Sequence, residues 1–157
     1  MVRTQAPATI DTRGDVRVYA SCDIEHDGDL LNLLLAQSAA TGSGFDIKAT
    51  STTSSVEGGE ERLREAIRAA DQVIVICGEH TADSYPVSVE VRIAQEEKRP
   101  YLLLWGRRLP MCTKPSTAKP ADTMYGWTPD IIATQILELR RRHAVDDEAA
   151  KLRRPTT

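Results

Sequence analysis

Glu90 is the residue whose neighbours make chemistry hardest to ignore. In the stretch YPVSVEVRIAQEEK (85–98), the positions three and four residues away from it are Pro86, Val87, Ile93 and Ala94, all non-polar. At ~100° per residue, Val87, Val89, Val91, Ile93 and Ala94 form a broad apolar arc with Glu90 near its middle. Ser88, Arg92, Gln95 and Glu96 take the opposite side, and Glu97 shares the arc only at the last turn. An isolated charge among apolar side chains is very costly, so such a carboxylate is paired, neutralised by a raised pKa, or turned toward a cleft. Pairing with Arg62 or Arg64, or placement near a helix N-terminus, would make it structural. Facing a cleft would make it a functional group.

The other reactive side chains are less telling. Ser84 and Asp83 precede that helix and suit an N-cap as well as a ligand contact. Ser21, Cys22 and Asp23 follow a short β-branched run, where ordinary turn chemistry accounts for them. Cys77 ends an apolar run and reads as packing, and His80 reads as a solvated loop residue. The three cysteines, Cys22, Cys77 and Cys112, are odd in number and lack metal-type spacing, so reduced thiols are expected. His26, His80 and His143 lie far apart, and no metal site is predicted.

The elements that must position Glu90 read as a βαβ unit. QVIVIC (72–77) and RPYLLLW (99–105) are continuous apolar runs of the kind buried on both faces in a parallel sheet. The helix from Pro86 to Lys98 lies between them, with the 78–84 loop opening it. Ligands bind at the carboxyl ends of strands in such sheets, so this loop borders any site. Upstream, strands are predicted at Val16–Ser21 and Phe45–Ala49, with helices at Leu30–Ala40 and Glu60–Ala70. The Cys22–Asp29 segment reads as a loop, and Thr50–Gly59 as one too polar to be buried. A last helix is expected from Pro129 to about Arg142, with Ile132, Ile136 and Leu139 inward. Pro110, Pro115 and Pro120 interrupt the 106–126 region, which could hide a fifth strand without showing it. Alternating strands and helices predict a three-layer α/β sandwich, flavodoxin-like, with four or five parallel strands.

Composition narrows the class. The chain has 157 residues, 41% of them hydrophobic, and a net charge of −3, with a mean hydropathy of −0.35 and a pI near 5.6. One soluble domain is expected. The net charge offers no basic field for nucleic acid, and no apolar run nears the ~20 residues of a membrane span. The Arg140–Arg142 run suits a helix C-terminus. The opening MVRTQAPATIDTRGD lacks the apolar core of a secretory signal, so the cytoplasm is the expected location.

Two segments carry a family resemblance. RVYASCDIEHDGDLL resembles the first strand and acidic loop of TIR-like domains. AIRAADQVIVICGEHTADSYPVSVEVRIAQEEKRPYLLLW resembles their central part, particularly in bacterial TIR-like domains of the Thoeris type. Gly78, Thr81, Ser84, Val87, Glu90, Ala94 and Pro100 occupy the pattern positions, and YGWTPDIIATQI resembles the last helix. Pro86, beside Tyr85, stands where Trp is usual, and Cys22 where an aromatic often follows the first strand. The likeness runs from about Val16 to Leu139. The expected layout is a disordered lead-in over 1–14, a TIR-like domain over 15–143 and a charged tail, expected to fray, over 144–157.

Many TIR domains cleave the nicotinamide–ribose bond of NAD, and Thoeris-like members are similar to enzymes that make cyclic ADP-ribose isomers. The resemblance therefore implies Glu90 as the catalytic carboxylate, with Ser21, Cys22, Asp23, Ser84 and Tyr85 binding substrate. NAD is the substrate, and no bound cofactor is implied. It also implies a signal sent to a separate effector in antiphage defence, and self-association through the Thr50–Gly59 loop, which could instead be a lid. Two alternatives stand beside it: a non-catalytic TIR-like scaffold, and an enzyme resembling nucleoside 2-deoxyribosyltransferases.

Overall fold

Alternation along the strands decides which helix layer each side chain meets. The computed structural model of the protein describes residues 15–52 and 59–153. The expected lead-in, most of the Thr50–Gly59 loop and the last four residues lie outside them. The strands are β1 (Val16–Ser21), β2 (Phe45–Thr50), β3 (Gln72–Cys77), β4 (Tyr101–Trp105) and β5 (Met124–Tyr125). The helices are α1 (Ile24–Ala39), α2 (Gly59–Ala69), α3 (Tyr85–Glu96) and α4 (Pro129–Arg153), with a 3-10 turn at Thr81–Asp83.

All strand pairs are parallel, in the order β2-β1-β3-β4-β5. The chain steps outward from β1 to β2 and then returns to β3 on the other side. The carboxyl edge between β1 and β3 is thus the switch point at which open α/β sheets take ligands. β3 pairs Val73 to Cys77 with Tyr101 to Trp105 of β4, and every residue of β3 is buried. Val16, Val18, Ala20, Ile74, Ile76, Leu102 and Leu104 face α1 and α4, where Leu30, Leu31, Leu34, Ile132 and Ile136 meet them. Tyr19, Val73, Val75, Cys77 and Leu103 face the other layer, packing on Ile67, Val87, Val91, Ile93 and Ala94. This is the expected three-layer sandwich, with five strands.

Three boundaries refine the expectation. First, α1 begins at Ile24 rather than Leu30, because Asp23 caps it: its Oδ1 accepts the His26 N–H at 3.4 Å. The helix breaks at Asp27 (φ −125°, ψ 19°), which is buried. Second, β5 lies in the Pro-rich region, where two residues pair with Leu103 and Leu104. Third, the expected frayed tail is instead the second half of α4, which runs to Arg153. No Gly or Pro interrupts it before Pro155, and Lys151–Asp147 at 3.7 Å and Arg142–Glu138 at 4.0 Å are i,i+4 pairs along it. Among the described residues, no helix is long and apolar enough to cross a membrane.

Candidate functional site

Val87, Val91, Ile93 and Ala94 anchor α3 to the sheet, and that packing drives Glu90 inward. Its residue is 3% exposed. Three hydroxyls meet the carboxylate. Oε1 accepts from Ser21 Oγ at 2.5 Å and Ser51 Oγ at 2.7 Å. Oε2 accepts from the Tyr19 phenol at 2.9 Å and lies 2.9 Å from Ser51 Oγ. The Cys22 N–H in turn donates to Ser51 Oγ at 3.1 Å. Among the described residues no arginine pairs with Glu90: Arg64 binds Glu60, Glu96 and Glu97 at 3.0, 2.8 and 2.8 Å instead.

Burial pushes the Glu90 carboxyl above its ordinary range, and the donors Ser21, Ser51 and Tyr19 pull against that without cancelling it. Burial and the adjacent carboxylate push the Tyr19 phenol far up as well, so it stays a donor. The group is a preorganised acceptor. It can hold hydroxyls and stabilise positive charge, provided one of its present donors gives way.

Glu90 and Tyr19 lie at the edge of a cleft of about 510 Å³ between α2 and α3, which also takes in Thr50, Arg62, Tyr85 and Val89. Of the predicted site residues, Glu90 and Ser21 touch, and Tyr85 stands on the cleft wall with 76% of its surface exposed. Ser84 is the buried N-cap of α3, makes no side-chain cap bond, and does not line the cleft. Cys22 falls on the opposite face of the sheet, buried against the α1 layer, with its thiol pushed up to about 12. Asp23 is engaged as the α1 cap and pairs with His26 at 2.9 Å. Neither Cys22 nor Asp23 reaches the cleft.

Sequence reasoning missed two members of the site. Tyr19 precedes Ser21 by two residues, so strand alternation puts both on the α3 side. Ser51 belongs to a loop expected to be too polar for burial, yet it is 4% exposed. Its hydroxyl accepts the Cys22 N–H and gives its one proton to the Glu90 carboxylate, which is what makes the burial tolerable.

A second polar group lies at the ends of β3 and β4. Asp27 is 1% exposed, and its Oδ1 accepts from Arg107, which also binds Asp29 at 2.8 Å. Asp27 Oδ2 has no hydrogen-bond partner among the described residues and sits against Gly78, where a Cβ would come within 2.3 Å of it. Burial pushes this carboxyl up, and Arg107 draws it back. The rings of His26 and His80 stack nearby, 3.9 Å apart. Among the described residues, Asp23, Glu25 and His26 bring potential metal ligands within 4.8 Å of one another. Glu25 and His26 are exposed and Asp23 is bonded to His26, so the group is a helix start bonded to itself.

A family model described as Thoeris protein ThsB, TIR-like domain, matches residues 19–108. That span runs from β1 past β4 and contains Tyr19, Ser21, Ser51 and Glu90. No curated protein matches the chain.

Proposed function

The chain belongs to the family of Thoeris ThsB TIR-like domains, and from that premise we propose that it cleaves the nicotinamide–ribose bond of NAD. The observation that carries the reading is the buried Glu90 carboxylate at the edge of a cleft beside the sheet's carboxyl ends. When the bond from ribose C1′ to the pyridinium nitrogen breaks, its electron pair leaves with nicotinamide. The leaving group is then neutral, and no general acid is needed to expel it. Positive charge develops on the ribose, as in glycoside cleavage. Glu90 stabilises that charge and accepts from a ribose hydroxyl that takes the place of a serine donor. Capture of C1′ by water, which then loses a proton, gives ADP-ribose. Capture by an atom of the same molecule gives a cyclic isomer, which requires that water be kept out. The product is a signal for a separate effector protein in antiphage defence.

One observation favours a second reading. Three hydroxyls already occupy Glu90, which suits a structural carboxylate in a non-catalytic TIR-like scaffold. Mass spectrometry of NAD incubated with concentrated protein separates the two. Free nicotinamide with ADP-ribose, or with a product one water lighter, supports cleavage. Intact NAD supports the scaffold.

A further inference from the structure

The arginines of α2 and α3 divide into two groups. Arg64, Arg68 and Arg92 are consumed by Glu60, Glu96 and Glu97 in a network of contacts from 2.8 to 3.1 Å. Arg62 stays outside it. On a helix it lies ~200° round from Glu60 and Arg64, on the ridge shared with Gly59 and Ala66 that borders the cleft. It is exposed and makes no ion pair among the described residues. Glu60 also borders the cleft, but Arg64 and Arg92 neutralise it and hold its carboxyl below the usual range. The cleft therefore keeps one uncommitted positive charge among its described residues. Across from it, on α3, stands Tyr85, an aromatic ring 76% exposed at the first turn.

A guanidinium that no carboxylate of the described residues claims is suited to an anionic ligand group, above all phosphate oxygens, which match its planar fork. An exposed phenol ring nearby suits a base. We infer, on the NAD reading of this cleft, that Arg62 is a specificity-determining residue that binds the pyrophosphate of the dinucleotide, with Tyr85 as a platform for one of its bases. The cleft then selects pyrophosphate-bearing nucleotides over free nucleosides. A deoxyribosyltransferase-like site has no use for such a cation.

Arg62→Gln tests this, because an exposed side chain outside the ion-pair network can be changed without loss of folding, as a thermal melt verifies. Calorimetry with ADP-ribose and steady-state kinetics with NAD are measured beside nicotinamide riboside, which carries no phosphate. The variant is expected to weaken ADP-ribose binding and raise KM for NAD roughly five- to thirty-fold. It should change kcat less than two-fold and leave nicotinamide riboside unaffected, while Arg62→Lys recovers part of the loss. Unchanged ADP-ribose binding in Arg62→Gln, with a wild type that binds it, overturns the role of Arg62 and leaves NAD cleavage standing. Arg62-dependent ADP-ribose binding by a protein that never cleaves NAD upholds the pyrophosphate contact and removes the catalytic reading. A wild type that neither binds ADP-ribose nor cleaves NAD refutes both.

Discussion

Replacing Glu90 by Gln should change how stability depends on pH, in a direction fixed by the burial of the carboxylate. Glutamine fills the same space, so packing on Val87 and Val91 is retained. Three charge-assisted hydrogen bonds become neutral ones, at about 1 kcal/mol each, while the penalty for a buried charge disappears. These terms oppose each other, and the pH dependence isolates the second. The native Glu90 pKa lies above the ordinary 4.5 because burial outweighs the hydroxyl donors. Folding therefore takes up a proton above pH 4.5. The group's contribution to stability is fully present below that value and declines as pH rises through the native pKa. The decline is ~1.4 kcal/mol for each pH unit inside that window. Glutamine has no proton to lose. Relative to wild type, Glu90→Gln should thus gain Tm by about 3–6 °C per pH unit across the window, taking about 2–4 °C per kcal/mol for a chain of this size. Melts from pH 4 to 9 measure it. Two curves that stay parallel over that range would refute a buried, proton-linked Glu90, whatever the activity of the variant.

Other substitutions probe the supporting contacts. Ser51→Ala strands the Cys22 N–H and removes a donor from Glu90. It should cost about 2–4 kcal/mol in urea unfolding and move the Glu90 window to higher pH. An effect under about 0.5 kcal/mol would mean the serine is dispensable. Gly78→Ala drives a methyl to within 2.3 Å of a buried carboxylate oxygen. A destabilisation of about 1–3 kcal/mol is expected in the same assay, and a neutral result would show that Asp27 can step aside. Arg107→Gln leaves Asp27 buried without its partner, at a cost of about 2–4 kcal/mol at pH 7. Because losing Arg107 raises the native Asp27 pKa further, that cost should shrink toward pH 4, where the carboxyl keeps its proton. A cost independent of pH would point to lost packing instead.

The parts legible in sequence were those written in local periodicity. The runs at 72–77 and 101–105 named the central strands, and the apolar arc around Glu90 foretold a buried carboxylate. Tyr19 was legible too: it sits two residues from Ser21 on a strand, so one cannot face α3 without the other. The same alternation sends Cys22 to the opposite layer, away from the cleft. Ser51 carried no such signal. Its burial follows from Glu90 of α3 meeting the end of β2, a contact between residues 39 apart, and a polar low-complexity loop gives no local hint of that. The two-residue β5 is too short for any period to register. The length of α4 was readable from the absence of a breaker before Pro155, but its charged second half resembled a solvated tail. Asp27 is a further long-range case: its partner Arg107 is 80 residues away.

Nicotinamide release by wild type and Glu90→Gln, measured side by side, decides whether Glu90 carries cleavage of the nicotinamide–ribose bond. Both proteins are held at the same high concentration with NAD, at a pH above the Glu90 window, with folding of each verified in the same buffer. Wild type should release nicotinamide steadily, matched one for one by ADP-ribose or its cyclic isomer, and Glu90→Gln should release it only at the buffer background. Equal release by the folded variant, or NAD left intact by wild type, would contradict that role for Glu90.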